Sequence, residues 1–67
     1  MAEIITAIYD SHGAVTNAID DLAAVGIPRE DLRVDHAKHQ VQVTIGNVVE
    51  AEITEILQRH QPLELLT

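Results

Sequence analysis

Residues 32–45, LRVDHAKHQVQVTI, decide the fold. Leu32 and Val34 alternate with Arg33 and Asp35, and Val41, Val43 and Ile45 alternate with Gln40, Gln42 and Thr44. A period of two is that of a strand with one buried face, so the stretch reads as two strands joined by a short turn. Parity tests the register. A loop at 36–39 pairs Asp35 with Gln40, Val34 with Val41 and Leu32 with Val43, and gathers every apolar side chain on one face. A slip of one residue would send one strand's apolar set to the other side. A two-residue loop at Ala37–Lys38 keeps the same parity, but Ala-Lys suits the positive φ of tight hairpins poorly, so the longer loop is expected.

Working outward, Val15, Ala18, Ile19, Leu22 and Val25 recur at spacings of three and four, which predicts a helix over 12–25. Asp10 and Ser11 are suited to cap its start. Gly26 stands where a left-handed residue closes a helix, and Pro28 follows. Residues 3–9, EIITAIY, are β-branched and apolar and read as a first strand. After the hairpin, Gly46 ends the strand, and Asn47 with Glu50 makes a variant of the capping box. Val49, Ile53, Ile56 and Leu57 form the buried stripe of a second helix. Arg59 and His60 lie at its C-terminal end, where positive charge is favoured. Pro62 stops it, and Leu63 and Leu65 flank Glu64 in a short last strand. The order strand, helix, strand, strand, helix, strand is the split βαβ pattern. The expected fold is therefore α+β and ferredoxin-like, one domain over residues 1–67. Right-handed crossovers place both helices on one face of a four-stranded antiparallel sheet of order 4-1-3-2.

The composition narrows the function classes. The 67 residues carry 11 acidic against 4 basic side chains, a formal charge of −7. That surface repels phosphate backbones and anionic lipid, so neither nucleic acid nor membrane is an expected partner. No apolar run approaches the ~20 residues that span a bilayer, and no basic segment leads an apolar one at the N-terminus; a cytoplasmic setting is expected. Cysteine is absent, which removes disulfides and thiolate metal sites from consideration. So small a core is marginal unaided, and association is one remedy.

Topology gathers the loops 10–13, 36–39 and 60–62 at one sheet edge, and these loops hold His12, His36, His39 and His60. One reading is a histidine site for zinc or another divalent transition metal, with Asp10 and Asp35 as oxygen ligands. The plain alternative is that loops collect polar residues, that His36 and His39 decorate a turn, and that His60 pads the core rim. Histidine changes charge near neutral pH, so a pH-responsive edge is a milder variant. No cofactor beyond such a metal is expected. Asp10, Ser11, His12 and Gly13 lead into a helix N-terminus, where free N–H groups hold small anions; this is the candidate ligand-binding stretch. Asp10, Ser11 and His12 name the members of a hydrolase triad. Consecutive residues converge poorly as acid, base and nucleophile, so no catalytic residue is assigned and the chain is not expected to be an enzyme.

The first strand presents Ile4, Thr6 and Ile8 on one face and Ile5, Ala7 and Tyr9 on the other, and helices cover only one face. Either choice leaves large apolar side chains outward, and such patches mark contact surfaces. Ile5, Tyr9 and Leu66 are taken as the interface of a homodimer.

Two family resemblances rest on these residues. ITAIYDSHGAVTNAIDDLAAVGIPREDLRV resembles the small bacterial general-stress (YflT-type) domains, through Tyr9, Asp10, Ser11, Gly26, Pro28, Glu30, Asp31 and Leu32. That resemblance implies a link to stress response and no established chemistry. The same stretch is similar to free-standing ACT-like regulatory domains, through Asp10 and Gly13 before the first helix and Leu22, Gly26 and Ile27 at its end. This second resemblance implies effector contacts at Asp10–Gly13. Together the readings point to a non-catalytic interaction or regulatory module that associates with itself or a protein partner. The alternative is a small-ligand or metal-binding sensor using the three loops.

Overall fold

The computed structural model describes residues 3–45 and 50–66. The elements are β1 (Glu3–Ile8), α1 (His12–Ala24), a short 3-10 turn (Arg29–Asp31), β2 (Leu32–Asp35), β3 (Gln40–Ile45), α2 (Glu50–Arg59) and β4 (Glu64–Leu66). Among the described residues the fold is α+β, with two helices and one antiparallel sheet in the order β2-β3-β1-β4. Counted from the β4 edge, the same sheet reads 4-1-3-2.

The β2–β3 register is the expected one: Asp35 faces Gln40, Val34 faces Val41 and Leu32 faces Val43. On the other side of β3, Val43 faces Ile5 and Val41 faces Ala7. Directly opposed residues share a face, so the odd-numbered residues of β1 are drawn to the apolar face of the hairpin. Ile5, Ala7 and Tyr9 therefore join Val41, Val43, Val15, Ala18, Leu22, Ile53, Ile56 and Leu57 in one core. Both helices contribute to that cluster, so both cover the same side of the sheet.

This corrects the interface expected at Ile5 and Tyr9. Each is only 1% exposed and belongs to the core. Ile4, Thr6 and Ile8 look outward instead, and Leu66 remains exposed beside them. Leu63, expected in the last strand, lies just before β4 and is exposed.

Local chemistry explains the bounds of α1. Ser11 is extended, and its side chain accepts from the Ala14 N–H at 3.2 Å. At the other end Gly26 has φ +97°, Gly26 N donates to Ala23 O, and Ile27 N donates to Leu22 O. These two bonds are the Schellman closure, accompanied by burial of both Ile27 and Leu22. Val25, expected on the buried stripe, is the C-cap and stands 48% exposed, because the chain has already left helical geometry. The expected roles of Gly46, Asn47 and Val49 lie outside the described residues. Among the described residues, no helix is long and apolar enough to cross a membrane.

Candidate functional site

Two of the four histidines come together. His12 is the first residue of α1 and His36 the first residue of the β2–β3 turn. Their Nδ1 atoms lie 3.3 Å apart, with ring centroids 4.9 Å apart and planes at 48°. That is hydrogen-bond distance, with the donor and acceptor set by which ring carries its hydrogen on Nδ1. Both side chains are at the surface, yet both backbones are held. Ser11 caps the turn that carries His12, and the His12 carbonyl accepts from Thr16 Oγ1 at 3.2 Å. Asp35 Oδ1 accepts from the Ala37 and Lys38 N–H groups at 3.0 and 3.2 Å, which fixes the turn that carries His36.

The other two histidines serve the fold, which corrects the four-histidine metal site. His39 closes the hairpin turn with φ 52°, and its carbonyl accepts from Tyr9 N at 2.8 Å. His60 Nε2–H donates to Asp21 Oδ2 at 2.6 Å, and Arg59 lies 3.9 Å from the same oxygen. Asp21 is on α1, nine residues along from His12. At a rise of about 1.5 Å per residue this is about 13 Å away, too far for one ion to span. Among the described residues, no group of three or more histidine, cysteine, aspartate or glutamate side chains is placed to hold a metal ion.

The His60–Asp21 pair has the composition of a triad's base and orienting carboxylate. The chain's one serine, Ser11, caps the opposite end of α1, so the dyad bridges α1 to the end of α2 instead. In the stretch Asp10–Gly13, Asp10 is exposed, the Ser11 hydroxyl is engaged with Ala14, and His12 and Gly13 belong to the first helical turn. A Cβ at Gly13 would meet nothing within 4 Å, so packing does not demand glycine there. An open groove between the helices is lined by Asp21, Glu52, Glu55 and Arg59 over Val25 and Ile56.

The sheet face away from the helices is the other candidate surface. Pairing aligns Leu66, Thr6, Gln42 and Arg33 in one row and Glu64, Ile8, Gln40 and Asp35 in the next. Ile4 and Leu66 are each 51% exposed there, and on the same face Gln42 Nε2 donates to Thr6 Oγ1 at 3.3 Å.

Tyr9 has a role that the residue pattern did not reveal. Its hydroxyl donates to the Leu57 carbonyl at 2.8 Å and so ties the end of β1 to α2. Burial pushes its phenol up to about 12. The signal was there in part: Tyr9 continues the Ile5–Ala7 alternation, which favours the core once the covered face is known. Comparison with protein-family models, with characterised proteins and with solved structures returned no match.

Proposed function

We propose that the protein is a non-catalytic interaction module of the ferredoxin-like type, working as a homo-oligomer through the uncovered face of its sheet. The observation that carries this reading is the half-exposure of Ile4 and Leu66 on the face opposite both helices. Apolar side chains on an uncovered sheet face gain from burial against a partner, about 25 cal/mol for each Å² removed from water. The edges are poorer routes: β2 has 4 residues and β4 has 3, and short edge strands pair weakly.

Arg33 lies on the β2 edge and Glu64 on the β4 edge. A two-fold axis along the strands would lay one copy's β2 edge over the other's β4 edge, with Arg33 at the level of Leu66 and Asp35 at the level of Glu64, so the association rests on apolar burial and not on charge pairing. The resemblance of the first half to general-stress domains supports a stress-related role for such an assembly.

Sedimentation velocity across a concentration series tests the reading. The parent should show a dimer at high micromolar concentration, and Ile4→Lys should return it to a monomer with its circular dichroism unchanged. A parent that stays monomeric throughout, or a dimer indifferent to Ile4→Lys and Leu66→Lys together, overturns it.

A further inference from the structure

We infer that His12 and His36 form a two-imidazole seat for one borderline divalent cation of the zinc, nickel or copper(II) class. This stands independently of the sheet-face reading and uses a different surface. Zinc binds imidazole nitrogen at about 2.0–2.1 Å, and tetrahedral ligands at that distance lie about 3.3–3.4 Å apart. The Nδ1 atoms of His12 and His36 are separated by 3.3 Å. The spacing is therefore already that of two ligands sharing one tetrahedral ion.

Preorganisation supports the same conclusion. The two residues are 24 apart in sequence and meet only because the α1 start and the β2–β3 turn share a sheet edge. Each sits on a braced backbone, one behind the Ser11 cap and one behind the Asp35 turn. An unbraced surface pair would lose side-chain and loop entropy on binding; here much of that ordering is already present. The net charge of −7 favours any cation, while the nitrogen pair selects borderline metals over magnesium and calcium, which prefer oxygen. Two protein ligands leave the remaining positions to water or to an incoming ligand.

Binding also demands a defined proton movement. In the unbound pair a hydrogen bond between the two Nδ1 atoms needs a hydrogen on one of them. Coordination needs a lone pair on both Nδ1 atoms, so the donating ring must move its proton to Nε2. No proton need be released overall.

Nitrogen-resolved NMR of the histidine rings during titration with zinc chloride reads this directly. The Nδ1 resonances of His12 and His36 should move together and saturate, with both rings ending in the Nε2–H tautomer, while His39 and His60 stay in place. His12→Ala and His36→Ala should each abolish the saturable shift of the remaining ring, whereas His39→Asn, which tolerates the positive φ, should leave it intact. Both alanine variants alter exposed side chains, and circular dichroism verifies that they fold. The inference is overturned if no shift saturates with zinc in severalfold excess. It is equally overturned if His39 or His60 responds as strongly as the pair, or if either ring still saturates after its partner is removed.

Discussion

Raising the pH should destabilise this protein through one side chain. Tyr9 is the chain's sole aromatic residue and is 1% exposed, with its hydroxyl 2.8 Å from the Leu57 carbonyl. Ionisation would remove the donor, set a phenolate against a carbonyl oxygen, and bury the charge among aliphatic side chains. Burial raises the phenol from 10.0 to about 12. A group whose ionisation is suppressed in the folded state contributes stability that is fully present below its unfolded pKa and lost as pH rises through the folded one. The window here is therefore pH 10 to 12. With about 1.4 kcal/mol per pKa unit, the loss across it is about 2–3 kcal/mol. A domain of this size has about 3–10 kcal/mol in total, so the loss removes much of its margin. Tyrosinate absorbance and far-ultraviolet circular dichroism should be followed together during an alkaline titration. With one tyrosine, the absorbance reports a single group. The tyrosinate should appear well above the ordinary phenol range, in step with loss of helical signal. Ionisation near 10 with the helical signal intact would refute the argument, because it would mean that the phenol reaches water in the folded state. Tyr9→Phe should abolish the absorbance change and cost only about 1 kcal/mol at neutral pH, since the Leu57 carbonyl keeps a second donor in His60 N at 3.3 Å.

Other perturbations probe the core and the helix closure. Leu22→Ala or Ile53→Ala removes a side chain of 0% exposure and should cost about 2–5 kcal/mol, read from the urea midpoint; a parent-like midpoint would show that the site does not pack as described. Gly26→Ala meets no atom within 4 Å, so its penalty is conformational and not steric. At φ +97° it should cost about 1–2 kcal/mol, and a neutral effect would mean that the closure of α1 does not need that backbone geometry.

Much of the architecture was legible because local signals agreed. Parity in 32–45, together with the short loop at 36–39, pointed to the hairpin register, since a one-residue slip would part Leu32 and Val34 from Val41 and Val43. Ser11 and Gly26 announced the ends of α1 because their chemistry satisfies the helix's free backbone groups. The candidate sites were less legible. All four histidines were assigned to one edge by connectivity, but connectivity says which end of the sheet a loop visits and not how far apart two side chains fall across it. His60 turned to Asp21 on α1, and His39 became the turn's left-handed residue, which left His12 and His36 as the pair.

Strand 1 shows the same division. Its two faces, Ile4-Thr6-Ile8 and Ile5-Ala7-Tyr9, are each apolar enough to be buried, so hydrophobicity alone does not choose between them. The amino-acid sequence determined the elements, their order and the hairpin register, because each depends on near neighbours along the chain. Tertiary structure decided which face of β1 is covered, since that depends on pairing with β3, whose own apolar face was already committed by the hairpin. That single long-range pairing sends Tyr9 to the Leu57 carbonyl and leaves Ile4 in water.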